Sequence, residues 1–177
     1  MDMTWVTDRI ALGGAIWFDD KMIEVVRAGV THIVNMQIEW DDTALAEPYG
    51  VKVLWNPTDD DFQLKPPELL QRGVDFALEA LGDGADNKVF IHCAAGVHRA
   101  PMMALAVLRA QGFGLNHAMD MIQARRQVVD FADVYVRSVE QFMRSYQAAQ
   151  PERGLESVEA VEHRRGRDEK KPQIPRG

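Results

Sequence analysis

The sequence predicts an α/β fold, a single domain with a central, mostly parallel twisted sheet flanked by helices. Two observations carry this expectation. Short apolar runs alternate with amphipathic stretches along the chain, the pattern of strands interleaved with helices that pack on them. At 177 residues the chain is also long enough for one substantial core and too short for two ordinary domains with a linker. The domain is expected over residues 1–150, with a charged tail over 151–177.

Trp5 to Gly14 (WVTDRIALGG) reads as a strand or hairpin closing on a glycine pair. Asp19 and Asp20 offer an N-cap for a helix through Val26 that ends at Gly29. Val30 to Met36 and Val51 to Trp55 read as buried strands, separated by a polar, irregular stretch from Ile38 to Tyr49 that contains Trp40. Pro66 and Pro67 open a helix in which Leu69, Leu70, Val74, Ala77, Leu78 and Leu81 recur at helical spacing, and Gly82 and Gly84 stop it. Lys88 to His92 is a short strand and Ala100 to Ala110 an almost wholly apolar helix, so the two form a strand–loop–helix unit. Helices follow over Leu115–Arg126 and Asp133–Gln147. From Pro151 the chain is crowded with Glu, Arg and Lys and carries no aromatic residue, so this tail is expected to be disordered.

Composition excludes several classes. No apolar run approaches the roughly 20 residues of a membrane helix, and the start lacks the basic and apolar segments of a signal peptide, so a cytoplasmic protein without membrane partners is expected. A formal net charge of −7 argues against nucleic acid as a partner, because phosphate backbones reward basic surfaces. Any phosphate site must then be local. The five histidines show no metal-ligand spacing with cysteine or carboxylates, so neither metal nor cofactor is expected. The single cysteine, Cys93, excludes an intrachain disulfide and leaves an inert core thiol or a reactive one.

Its neighbours favour the reactive reading. A loop from a strand end into a helix start turns successive N–H groups inward as an anion nest, and the helix N-terminus adds partial positive charge that favours a thiolate. In His92-Cys93-Ala94-Ala95-Gly96-Val97-His98-Arg99, Gly96 permits positive φ or close backbone approach, while Ala94 and Ala95 are too small to obstruct. Arg99 can hold two phosphoryl oxygens at once through its planar fork. Cys93 is the candidate nucleophile, and Ala94, Ala95, Gly96, Val97, His98 and Arg99 are the candidate phosphate-binding residues. His98 either adds positive charge to the anion site or fills the pocket rim. His92 is expected to order the loop by hydrogen bonding. Trp40, Trp55 and Phe62 read as core or rim aromatics, with Trp40 exposed near the pocket.

The segment HCAAGVHRAP resembles the His-Cys-x-x-Gly-x-x-Arg signature of the protein tyrosine phosphatase superfamily. The order of parts resembles its dual-specificity branch, in which an acidic loop lies some thirty residues before the cysteine. The likeness runs in weaker form from Trp5 to Tyr146 and includes Ala124-Arg125-Arg126 behind the site. It implies a phosphatase-like fold, a phosphocysteine intermediate and a phosphorylated protein or other phosphomonoester as partner. Asp59, Asp60 and Asp61 all lie where the family's general acid belongs; the branch pattern falls without gaps on Asp60, with Asp61 and Asp59 as alternates. The branch commonly has Ser or Thr after the loop arginine, where this chain has Ala100, which implies a slower second half-reaction. Arg-Ala-Pro at this place is also seen in plant glucan phosphatases, whose loop has Gly where this chain has His98. A phosphorylated glycan or phosphoinositide therefore stands as the other substrate class. A phosphate-binding module with weak catalysis is the reading outside enzymes, and a rhodanese-like sulfur transferase would need no upstream acid.

Overall fold

The computed structural model describes residues 1–150. The charged tail expected over 151–177 lies outside the described residues. The elements run β1 (Met3–Trp5), β2 (Ile10–Gly13), α1 (Asp19–Arg27), β3 (His32–Gln37), α2 (Thr43–Ala46), a 3₁₀ turn (Glu47–Tyr49) and β4 (Lys52–Thr58). They continue with α3 (Pro67–Asp83), β5 (Val89–His92), α4 (Arg99–Ala110), α5 (Leu115–Arg125) and α6 (Asp133–Ala148).

The five strands form one sheet in the order β1-β2-β5-β3-β4. β1 is antiparallel to β2, and every other neighbouring pair is parallel. Side chains alternate across the sheet, as the period of a strand requires. Ile10 and Leu12 of β2, Val34 and Met36 of β3, and Val89 and Ile91 of β5 face one core with α3, α4 and α6. Ala11, Ile33 and Phe90 face the other, packed with Met22 and Val25 of α1 and Ala46 of α2. Strands buried on both faces explain why these runs read as continuously apolar. β5 sits in the middle of the sheet, so the loop after it opens at the carboxyl edge of the parallel strands, where ligands bind in open α/β sheets. α4 is buried from Arg99 through Leu108 and cannot move without disturbing the core.

Several local expectations are corrected. Asp19 and Asp20 do not cap α1; the extended Phe18 is its N-cap, and the two aspartates occupy the first turn, where their charge suits the helix dipole. The irregular stretch from Ile38 to Tyr49 contains α2 and the 3₁₀ turn. The strand expected to be buried at Val51–Trp55 is β4, which continues to Thr58 and is the edge of the sheet among the described residues, and Trp55 there is 42% exposed. Gly82 lies inside α3, and only Gly84 follows its end.

Candidate active site

Residues 93 to 98 join the end of β5 to the start of α4. The chain turns there because Gly96 adopts φ +65°, a left-handed conformation with no steric cost for glycine. It also packs too closely for any side chain, since a Cβ on Gly96 would lie 2.5 Å from the carbonyl carbon of Gly13. Four successive loop carbonyls are turned outward. Ala94 O accepts from Ala15 N–H at 3.1 Å, Ala95 O from Arg126 Nη2 at 3.1 Å, Gly96 O from Arg126 Nε at 3.0 Å and Val97 O from Asp130 N–H at 3.0 Å. Peptide groups so oriented present their N–H groups to the inside of the loop, which is the nest an oxyanion needs. Cys93 is buried at its base, and Gly96 N–H donates to Cys93 Sγ at 3.3 Å.

Arg126 is the brace for this arrangement. Its two terminal nitrogens also donate to Asp2 at 2.6 and 2.7 Å, tying β1 to the loop. Hydrogen bonding from Arg126 holds the Asp2 carboxyl below the usual aspartate range, with burial opposing it. A cleft of about 550 Å³ lined by Asp2, Thr4, Ala95, Val97, Arg126 and Val128 lies on this outer side of the loop, away from the thiol.

The first residue of α4, Arg99, is almost fully buried. Glu39 accepts from both of its terminal nitrogens, Oε2 from Nη1 and Oε1 from Nη2, each at 2.8 Å, and Nη1 also donates to Thr58 O at 2.9 Å. The Nη1/Nη2 edge of the fork is therefore occupied. Nε is buried and has no partner among the described residues, so the Nε/Nη2 edge is the one left to hold two oxygens. Burial opposes the charge on Arg99, but the hydrogen bond to Glu39 and the attraction of Cys93, Glu39 and Asp60 outweigh it and hold the guanidinium charged.

Glu39 is positioned by a buried polar cluster. Asn35 Nδ2 donates to Trp40 O at 2.9 Å and to Asp42 Oδ1 at 3.0 Å, and Asp42 Oδ2 lies 2.7 Å from His92 Nε2. His92 thus orders the segment that carries Glu39, and not the cysteine loop it was expected to order. The reason is geometric, because the side chain of a strand's last residue points across the sheet face.

The three aspartates part company. Asp61 pairs with Lys65 Nζ at 2.5 Å and accepts Gln63 N–H, and the Lys65 bond holds its carboxyl below the usual range. Asp59 offers its carbonyl to the same Lys65. Asp60 alone reaches the cysteine loop, with Oδ2 2.9 Å from His98 Nδ1, while Oδ1 accepts from the Tyr135 hydroxyl at 2.9 Å. Tyr135 in turn accepts Phe62 N–H at 3.1 Å. Phe62 has φ +54°, uncommon for a bulky residue, and its ring stacks on Tyr135 and meets His98 edge-on at the rim. Glu39, Asp42, Tyr135 and Asp2 all act on the site without a local sequence signal. Only the acidic neighbours of Trp40 hinted at Glu39. Trp40 itself is 43% exposed, its ring 6.4 Å from that of the exposed Trp17.

Among the described residues no helix is long and apolar enough to cross a membrane, and no group of three or more His, Cys, Asp or Glu is placed to hold a metal ion.

Comparison with known proteins agrees with this geometry. Residues 21–145 match the family model described as dual specificity phosphatase, catalytic domain. The putative tyrosine phosphatase 123R of Invertebrate iridescent virus 6 is 24% identical over 145 residues, which cover 81% of this chain and 94% of that protein. Dual specificity protein phosphatase 26 of Homo sapiens is 30% identical over 109 residues, 60% of this chain and 49% of that protein, so the match spans about half the relative's length. The crystal structure of PTPMT1 in complex with PI(5)P superposes with a TM-score of 0.75 at 19% identity, covering 84% of this chain and 99% of that one. That of human DUSP28 gives 0.71 at 22% identity, covering 83% and 96%. These structural likenesses show the fold.

Proposed function

The chain belongs to the dual specificity phosphatase catalytic domain family, and we propose that it is a cysteine-based phosphatase that hydrolyses phosphate monoesters through a phosphocysteine intermediate on Cys93. The observation that carries this reading is a buried Arg99 with one donor edge unused beside a loop whose Gly96 N–H already points at the thiol sulfur. A phosphoryl group supplies what both lack, oxygens for the donors and an electrophile for the sulfur.

In the proposed reaction Cys93 Sγ attacks phosphorus while the loop N–H groups and Arg99 hold the equatorial oxygens. Asp60 protonates the leaving oxygen, then takes a proton from the water that attacks the phosphocysteine. Asp60 is preferred to Asp59 and Asp61 because it alone of the three contacts the cysteine loop. The preferred substrate is a phosphorylated Tyr, Ser or Thr side chain of a protein. A phosphorylated glycan or phosphoinositide is favoured instead by one feature, the exposed Trp17 and Trp40 pair next to Glu39. Aromatic faces at such a rim suit sugar rings and acyl chains alike.

Turnover of para-nitrophenyl phosphate by wild type, Cys93→Ser and Asp60→Ala tests the chemistry. Wild-type rates equal to those of Cys93→Ser would overturn it, and Asp61→Ala inactive with Asp60→Ala active would move the acid. Rates on a phosphotyrosine peptide, a phosphoglucan and a phosphoinositide separate the substrate classes.

A further inference from the structure

We infer that the proton delivered to the leaving oxygen is held jointly by Asp60 and His98, as one proton shared between Asp60 Oδ2 and His98 Nδ1. This deepens the proposed reaction and rests on Asp60 being its acid.

The geometry leaves few other places for that proton. Asp60 Oδ1 accepts the Tyr135 hydroxyl at 2.9 Å. That hydroxyl stays protonated, its pKa pushed up to about 12 by burial first and then by the hydrogen bond to Asp60, so Oδ1 is committed as an acceptor. A carboxyl proton must then sit on Oδ2, facing His98 Nδ1 at 2.9 Å. On the other side of the ring, His98 Nε2 lies 3.4 Å from the Asp130 carboxylate. That charge favours a hydrogen on Nε2, and the tautomer assigned from these partners leaves the Nδ1 lone pair towards Asp60. A neutral ring satisfies only one of its two carboxylates: with its hydrogen on Nε2 the Nδ1 lone pair faces Asp60, and with it on Nδ1 the Nε2 lone pair faces Asp130. One further proton, leaving either Asp60 neutral or His98 cationic, satisfies both sides at once. Phe62 packs edge-on against the His98 ring and fixes its plane.

The proton balance of the reaction follows. As the Sγ–P bond forms and the P–O bond breaks, the leaving oxygen takes a proton from Asp60 Oδ2, drawn from Nδ1 where it resides there. The pair is left as a carboxylate and a neutral imidazole. When water attacks the phosphocysteine and the Sγ–P bond breaks, the water proton returns to Asp60 and reloads the pair. The charged and titratable groups facing the pair are Asp130 behind His98, Tyr135 on α6, Asp61 and Lys65 on the acid segment, and Cys93 and Arg99 in the phosphate loop. Of these only Asp130 and Tyr135 touch the pair. His98 is thereby a positioning and proton-holding residue that acts through Asp60.

Substrates whose leaving groups differ in basicity read this role directly. His98→Asn and Asp130→Asn are compared with wild type on phenyl phosphate and para-nitrophenyl phosphate across pH. A lost shared proton moves the basic limb of kcat/KM on phenyl phosphate to lower pH, and lowers the phenyl to para-nitrophenyl rate ratio about tenfold in His98→Asn. A basic limb and a ratio unchanged in both variants, whatever the absolute rates, would overturn the inference. Should His98→Asn fail to fold, Asp130→Asn carries the same test with the loop sequence intact. An arm independent of turnover uses the Cys93→Ser protein, in which Asp60→Asn is expected to change the His98 ring ¹⁵N signals. Unchanged signals would refute the shared proton even if the phosphatase reading stands, and a phosphatase reading that fails would leave that spectrum interpretable.

Discussion

Glu39 grips Arg99 by both terminal nitrogens at 2.8 Å and so decides which edge of the guanidinium faces the cysteine loop. The segment that carries Glu39 is itself held by the Asn35, Asp42 and His92 cluster through the bond from Asn35 to the neighbouring Trp40 O, so the grip is set by the fold. Removing it leaves a buried cation with Thr58 O as its remaining partner and no fixed orientation. Glu39→Ala is therefore expected to lower kcat/KM on para-nitrophenyl phosphate about a hundredfold, the scale of a misplaced positioning group. Glu39→Gln keeps one acceptor and should lose less. Steady-state kinetics at one pH decide it, and equal activity in all three proteins would show that Arg99 is oriented without Glu39.

A second arginine and carboxylate pair gives folding a pH dependence. Arg126 holds Asp2 below its ordinary value of 3.8, so the folded protein binds that proton less readily than the unfolded chain does. The stabilisation is fully present above the ordinary value and is lost as pH falls through the depressed one. Urea midpoints should thus favour wild type over Asp2→Asn at pH 7, with the gap closing as pH drops below 3.8. A gap that stays constant down to pH 3 would mean that Asp2 contributes through shape and not through charge.

Gly96→Ala tests the backbone of the loop. The new Cβ would stand 2.5 Å from Gly13 C and 2.6 Å from Gly13 O, both main-chain atoms of a central strand, in a conformation with φ +65°. Neither neighbour can yield cheaply, and the left-handed strain of a non-glycine residue alone is about 1 kcal/mol or more. Stability in urea should fall by more than that, and turnover should fall with it because the Gly96 N–H would swing off Cys93 Sγ. A variant as stable and active as wild type would show that the loop relaxes freely.

The fold and the loop from Cys93 to Arg99 were legible for a shared physical reason, since both depend on short-range pattern. Apolar alternation places β2, β3 and β5, and the spacing from Cys93 to Arg99 needs only a strand end, a glycine and a helix start. What escaped depends on distant partners. Arg126 meets Asp2 across 124 positions and Glu39 meets Arg99 across 60, so no window of sequence contains both members. Trp55 read as buried because a strand's rank in the sheet, here the edge, is a property of topology and not of its residues. Three adjacent aspartates are alike in residue type and local context, and only the family resemblance favours Asp60 among them. Lys65, Tyr135 and His98 distinguish them: Lys65 is a neighbour four residues on, but Tyr135 and His98 reach the acid segment only after folding.

Ala100 makes the last prediction, about which half-reaction limits turnover. It is the second residue of α4, fully buried directly behind the arginine. In the branch that this loop resembles, a Ser or Thr hydroxyl at this place helps the sulfur leave as the phosphocysteine breaks, and the methyl group of Ala100 has no such donor. The first half-reaction does not need that donor, because Cys93 already has the Gly96 N–H. Wild type should therefore accumulate phosphoenzyme, seen as a burst of para-nitrophenol approaching one equivalent in a rapid-mixing trace. Ala100→Ser restores the donor with one added oxygen, and it should raise the steady-state rate roughly tenfold while shrinking the burst, the gain expected from one charge-assisted hydrogen bond made in that step. The fully buried site must find room for the hydroxyl, so the variant's urea midpoint is measured alongside. A wild-type trace with no burst would show that hydrolysis of the intermediate is already fast without the hydroxyl, with chemistry at the first step limiting instead.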